Sequence, residues 1–295
     1  MSSHVHGFII GAQKAGSTSL DRYIACHPDV LAARHEVPAL EDPDYGRGGV
    51  ERVDQWIRSR ERPGLKVVLR RPNYLCRTEV PARMASEWPE VRLVAVLRDP
   101  VARAKSAYFH YMRYGLLPVA PVDEGLERLL SGDLSPRWPR STEVLGFGEY
   151  GSAMRRWREH FESASILVLD STDLRVRPAE VLARVARHLQ IRDDVPLPEL
   201  ADGMPGSYDM KHVRARAAAF PLLYSATDGG RLEARWKLPQ IYDRLERTLW
   251  PDKSSPPELS AALDTQLRAH YAEDVQDLLS FLAPTQVPSW AHGYT

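Results

Sequence analysis

The sequence predicts a single α/β domain over residues 1–295, with a central parallel β-sheet flanked by helices. Three observations lead to it. Short apolar runs at Gly7–Gly11, Leu65–Arg70, Val91–Leu97 and Ile166–Leu169 are continuous rather than alternating, as in strands covered on both faces. Helical stretches alternate with these runs, the order expected of an α/β sheet. The first run passes directly into a glycine-bounded turn, GAQKAGSTS, that opens a helix.

Each element has its own local signal. Ser17–His27 follows the first strand as a helix, and His27-Pro28 marks its end. Val80–Trp88 is the helix before the third strand. Pro100–Tyr114 follows that strand, with Pro100 suited to a first helical turn. Tyr150–Phe161 and Ala179–Leu189 flank the fourth. Near Glu258–Leu282, a last long helix places Leu259, Leu263, Leu267, Tyr271, Val275, Leu278 and Leu282 at helical spacing, a core stripe. Ser131–Gly148 and roughly residues 196–230 lack periodicity and are rich in Pro, Gly, Ser and Arg. They read as long substrate-side loops or as surface insertions.

Composition narrows the function. The 295 residues are 43% apolar, with no run long enough to span a membrane. The N-terminus lacks a basic region followed by an apolar one, so no secretory signal is expected. Cys26 and Cys76 are the two cysteines, too few for a disulfide framework, and a cytoplasmic setting is expected. Lys plus Arg equals Asp plus Glu at 39 each, so a nucleic-acid partner is not expected. Six of the 39 basic residues are lysine and 33 are arginine, a bias that reads as a GC-rich bacterial genome. It also supplies forked donors for phosphate or sulfate.

Two segments carry chemistry. In GFIIGAQKAGSTSL, a strand enters a turn and then a helix, which makes an anion site from backbone N–H groups and the helix dipole. A nucleotide-triphosphate P-loop needs lysine directly after its second glycine. Here Ser17 holds that place, and Lys14 lies inside the loop. Gly16 lets the backbone approach a ligand, Ser17, Thr18 and Ser19 add hydroxyls, and Lys14 brings a point charge. In VRLVAVLRDPVARAKSAY, a buried strand ends on Arg98, at the carboxyl edge where open α/β sheets bind ligands. Ser106 follows two helical turns later.

Together, QKAGSTSL and LVAVLRDPVARAKSAY resemble the 5′- and 3′-phosphate motifs of sulfotransferases that use 3′-phosphoadenosine 5′-phosphosulfate. The resemblance is closer to the heparan-sulfate-type branch and its bacterial relatives than to the aryl and steroid enzymes. HPDV with RHEV, LRRPNYL, and the stretch from Gly148-Glu149-Tyr150 to Asp173-Leu174 extend it in order from Gly7 to about Ile191. The last third of the chain is only weakly similar.

The resemblance implies a P-loop-kinase-like sulfotransferase fold and in-line transfer of a sulfuryl group to an acceptor hydroxyl, with adenosine 3′,5′-bisphosphate as product and no metal. It assigns Lys14 to the leaving oxygen, and Lys14, Ala15, Gly16, Ser17, Thr18 and Ser19 to the 5′-phosphate. Arg98 and Ser106 are assigned to the 3′-phosphate, with Lys211 and Arg231 as further basic contacts. Glu36 is assigned as base, with His35 as its rival. One departure stands out: the family's catalytic lysine falls on Arg70, and Arg71 takes its small hydroxyl position. Arg70 then stabilises departing charge, binds an acidic acceptor, or pairs with a carboxylate, and Lys66 is a weaker substitute. Trp138, Tyr74 and Tyr108 are expected to shape the site for a small-molecule or saccharide acceptor, with core packing equally open for Tyr108. Two alternatives are a P-loop-like kinase and a non-catalytic nucleotide-binding relative.

Overall fold

Gly7–Gly11 becomes the middle strand of a parallel sheet because both sides of its pleat are apolar. Phe8 and Ile10 point into one core, and Ile9 into the other. The computed structural model describes residues 4–60, 62–134, 138–196, 210–226, 232–234 and 257–294, with only the backbone of 220–226 and 232–234. The strands are β1 (Gly7–Gly11), β2 (Val30–Ala32), β3 (Lys66–Arg70), β4 (Arg92–Leu97) and β5 (Ile166–Asp170). Their spatial order is β2-β3-β1-β4-β5, with each neighbouring pair parallel. A short antiparallel pair, β6 (Tyr224–Ala226) and β7 (Leu232–Ala234), lies apart from this sheet in hydrogen bonding.

The helices among the described residues are α1 (Ser17–Ala25), α2 (Gly49–Arg58), α3 (Val80–Glu87), α4 (Pro100–Arg113), α5 (Val122–Leu130), α6 (Thr142–Gly146), α7 (Tyr150–Arg158), α8 (Ser171–Val176), α9 (Pro178–Leu189), α10 (Met210–Leu223) and α11 (Ala261–Phe281). None is long and apolar enough to cross a membrane. They group into two compact units. The first is Met1–Pro100, Glu149–Gly203 and Tyr271–Thr295, and the second is Val101–Gly148 and Met204–His270.

The first unit holds the parallel sheet between two apolar layers. Phe8, Ile10, Val67, Leu69, Leu93 and Ala95 pack with Val53, Ile57, Met84 and Trp157, from α2, α3 and α7. Ile9, Val68, Val94, Val96 and Leu169 pack with Leu20, Ile24, Val181 and Val185, from α1 and α9. Each fully buried side chain of this size contributes about 2 kcal/mol. Asp274 on α11 accepts from the N–H groups of Gly151 and Ser152, at 2.7 and 2.8 Å, and so caps α7. Asp170 caps α8 through the Thr172 N–H and takes the Ser289 N–H and hydroxyl, which ties the C-terminal segment to β5.

In the second unit Tyr108 is fully buried, donates to the Ala120 carbonyl at 3.1 Å, and fills the space a Cβ on Gly125 would need. Arg103 is buried and donates to the Val144 carbonyl, while Arg140 and Tyr111 share the Glu143 carboxylate.

The fold class stands as expected, and four of the predicted strands form within a residue or so of their bounds. The aperiodic reading of 131–148 and 196–230 needs correction. Thr142–Gly146 and Met210–Leu223 are helical, and α10 buries His212, Val213 and Arg216. Its polar buried positions broke the apolar periodicity. In the C-terminal stripe, Leu263, Leu267, Tyr271, Val275 and Leu278 are buried, and Leu259 and Leu282 are half-buried at its ends.

Candidate active site

The site forms at the carboxyl edge of the sheet, where β1, β3 and β4 end side by side. β1 runs in register with β3 through Ile9 and Arg70, and with β4 through Gly11 and Ala95. Gly11 is required by close approach, because a Cβ there would lie 2.5 Å from the Cβ of Leu75. The chain then turns through Ala12–Gly16 into α1. Gly16 caps α1 at φ 101, a left-handed conformation that favours glycine. Lys14 also adopts positive φ, 68, which is uncommon outside glycine and clusters at functional sites. The Ser19 and Leu20 N–H groups both return to the Gly16 carbonyl, at 2.9 and 3.2 Å. The N–H groups just before them, at the helix start, have no intrahelical acceptor to use. Open N–H groups at a helix start are the kind of donors that anion sites use, and the helix dipole adds to their field.

Arg98 comes to this loop from the end of β4. Its Nη1 donates to the Lys14 carbonyl at 3.3 Å. The Tyr150 hydroxyl donates to the Arg98 carbonyl at 3.0 Å, and the Tyr294 hydroxyl to Asp99 Oδ2 at 3.3 Å. The two sequence motifs therefore meet, and the Arg-Asp-Pro turn is anchored from α7 and from the C-terminal segment.

Arg70, at the end of β3, joins the loop to Glu36. Its Nη1 donates to Thr18 Oγ1 at 3.4 Å and to Glu36 Oε1 at 2.8 Å. Its Nε lies 3.1 Å from Asp21 Oδ2 as an ion pair without hydrogen-bond alignment. Arg71 takes the other Glu36 oxygen through Nη1 at 2.8 Å and grips Glu41 with Nε and Nη2 at 2.8 and 2.5 Å. Burial raises the Asp21 carboxyl above the usual carboxylate range against the pull of Arg70. Burial works against the Arg71 charge too, but Glu41 and Glu36 hold its pKa above the ordinary guanidinium value. The segment bearing Glu36 is pinned by Tyr74, whose hydroxyl donates to the Val37 carbonyl and accepts from the Leu40 N–H, each at 2.8 Å.

The first unit thus gathers Lys14, Ala15, Gly16, Ser17, Thr18, Ser19, Glu36, Arg70 and Arg98. Ser106, half-buried on α4, and Lys211, exposed on α10, belong to the second unit. Arg231 lies outside the described residues. His35 is exposed next to Glu36. Three expectations need correction. Tyr74 is fully buried and stacked on Phe8 at 5.0 Å, so it positions the Glu36 segment and is no acceptor wall. Tyr108 is likewise core, held by Ala120. Lys66 begins β3, at the opposite end from Arg70, and cannot substitute for it. Asp21 and Glu41 were not anticipated. Their signal is indirect: two adjacent arginines at a buried strand end need carboxylates to neutralise them.

A glycine-bounded loop after the first strand, an arginine from the neighbouring strand end and a carboxylate paired with Arg70 thus gather at one edge of an α/β sheet. The family model described as the sulfotransferase domain matches residues 5–200, and the chain belongs to that family. It is 29% identical over 186 residues to human heparan sulfate glucosamine 3-O-sulfotransferase 3B1, covering 62% of this chain and 45% of that protein. It is 29% identical over 195 residues to the Caenorhabditis briggsae bifunctional heparan sulfate N-deacetylase/N-sulfotransferase 1, covering 62% of this chain and 22% of that protein. The chain therefore spans less than half the length of these relatives. Among solved structures, a sulfotransferase from Alicyclobacillus acidocaldarius superposes with a TM-score of 0.64 at 20% identity, covering 94% of this chain and 95% of that one. Mouse sulfotransferase SULT7A1 complexed with PAP gives a TM-score of 0.53 at 14% identity, covering 97% and 88%. Both share the fold.

Proposed function

We propose that this chain transfers a sulfuryl group from 3′-phosphoadenosine 5′-phosphosulfate to a hydroxyl of a small natural product, glycolipid or saccharide. Family membership, the heparan-sulfate relatives and the PAP-bound structural neighbour support the reaction class. The observation that carries it is Arg70, whose one guanidinium nitrogen touches both Thr18 of the phosphate loop and Glu36. When bound, the donor supplies the sulfuryl group and departs as adenosine 3′,5′-bisphosphate.

The residues fit that donor. Backbone N–H groups of Gly16, Ser17 and Thr18 and the hydroxyls of Thr18 and Ser19 hold the 5′-phosphate, Lys14 places a cation on the loop, and Arg98 supplies a second phosphate donor beside it. Glu36 accepts the proton of the acceptor hydroxyl, held in orientation by Arg70 and Arg71. Arg70 replaces the lysine of the resembled motif with a forked donor that serves both charge stabilisation and alignment. An Arg70→Ala variant is expected to lose about 100-fold in transfer rate, the scale of one removed charge-stabilising donor, with Arg70→Lys in between. Release of the bisphosphate product, followed by chromatography, measures it. An Arg70→Ala enzyme with undiminished turnover would sink the catalytic assignment of Arg70.

A further inference from the structure

Residues Ser289–Tyr294 lie outside the stretch that the family model matches, yet they reach the strand end that carries Arg98. Their first residue is fixed to the neighbouring strand. Asp170, which ends β5 in register with Leu97 of β4, accepts from the Ser289 N–H and hydroxyl at 2.8 and 2.6 Å. Their last residue is fixed to the turn after β4, where the Tyr294 hydroxyl donates to Asp99 Oδ2 at 3.3 Å. Trp290 spans the interval, its ring centre 6.1 Å from those of both Tyr150 and Tyr294. Tyr150 is fully buried and holds the Arg98 carbonyl at 3.0 Å. Gln276 of α11 donates to the Tyr294 carbonyl at 3.1 Å. One aromatic cluster within the first unit therefore grips the backbone of Arg98 and the side chain of the next residue.

This grip bears on charge. Among the described residues Arg98 forms no ion pair, and its Nη1 donates to the uncharged Lys14 carbonyl. Asp99 is the carboxylate next to it in the chain, and the Tyr294 hydroxyl takes one of its oxygens. A guanidinium without a carboxylate partner keeps its charge and its forked donors for a phosphate. A carboxylate swung onto it would take those donors and repel the incoming anion. We propose that Tyr294 is a positioning residue that turns Asp99 away from Arg98, and that this contact sets the preference for a nucleotide with a 3′-phosphate over one with a 5′-phosphate alone. The proposal rests on Arg98 serving the second phosphate of the donor, as in the function proposed above.

Calorimetry on the full chain, comparing adenosine 3′,5′-bisphosphate with adenosine 5′-monophosphate, tests it. The unaltered protein is expected to bind the bisphosphate more tightly, by about tenfold or more. Tyr294→Phe is expected to narrow that ratio by about threefold to tenfold, the span of one hydrogen bond, while affinity for the monophosphate holds. Adding Asp99→Asn to Tyr294→Phe removes the competing charge and is expected to restore the ratio, which a merely structural role for the hydroxyl would not do. A ratio unchanged by Tyr294→Phe, an equal loss for both nucleotides, or a ratio that Asp99→Asn leaves narrowed overturns the proposal. If Tyr294→Phe is too unstable to titrate, Gln276→Ala, a change to an exposed side chain of α11, takes its place. A narrowed ratio there supports the proposal, and an unchanged one overturns it. An unaltered protein that binds the two nucleotides equally, or binds neither, sinks the donor reading itself and this proposal with it.

Discussion

Glu36, the base proposed above, is fixed by residues distant in sequence. Its two oxygens are taken by separate guanidiniums from the end of β3, and Arg71 is in turn clamped by the buried Glu41. Replacing Glu36 with glutamine keeps the shape and removes the proton acceptor. Transfer is expected to fall by about 10²- to 10⁴-fold, the range of a lost general base, while affinity for adenosine 3′,5′-bisphosphate holds. Rate assays beside calorimetry check both halves, and near-normal turnover would move the base elsewhere. Lys14, Glu36 and Arg98 were legible in the sequence because each sits in a short ordered motif. Asp21 and Glu41 were not, because the need they answer arises only when β3 brings Arg70 and Arg71 to the sheet edge. Tyr74 misled for a related reason. An aromatic beside a motif looks like a ligand wall until packing shows its ring stacked on Phe8.

At the scale of elements, the strand–loop–helix from β1 into α1 is the device on which the anion site depends. Its two glycines serve different purposes. At Gly16 a Cβ would meet only Leu174, at 3.9 Å, so an alanine there suffers from φ 101 rather than from crowding. Gly16→Ala is expected to cost about 1–3 kcal/mol, read as a lower urea midpoint. At Gly11 the crowding against Leu75 is direct. If Gly16→Ala were neutral, the left-handed cap would not be required. The strands β1, β3, β4 and β5 were legible because a strand covered on both faces needs an unbroken apolar run. β2 is three half-buried residues and left no such trace. α10 was missed because His212 and Arg216 occupy buried positions where the periodic pattern calls for apolar residues.

At the scale of the whole molecule, pH acts on the fold through half-buried histidines. Burial, with the charges of His4 and Lys66, lowers His6 to about 4, and its Nδ1 accepts from the Val67 N–H at 3.1 Å. Burial also lowers His188, which bonds the Leu93 carbonyl. The unfolded chain takes up a proton on His6 near 6.5, whereas the native state does so only near 4. Stability from this group is therefore full above 6.5 and is lost as pH falls towards 4. Asp21, raised by burial, acts with the opposite sign above the ordinary carboxylate pKa. The urea midpoint is expected to drop between pH 6.5 and 4, and a His6→Gln variant should show a shallower drop. An unchanged slope would remove His6 from this account. The central claim, that the loop and Arg98 serve a bisphosphate donor rather than a triphosphate, is tested most directly by calorimetry. The account predicts that adenosine 3′,5′-bisphosphate binds one to one without metal, near the micromolar range, and that Arg98→Ala weakens it by about tenfold or more. Tight binding of ATP with Mg²⁺, together with no binding of the bisphosphate, would contradict it.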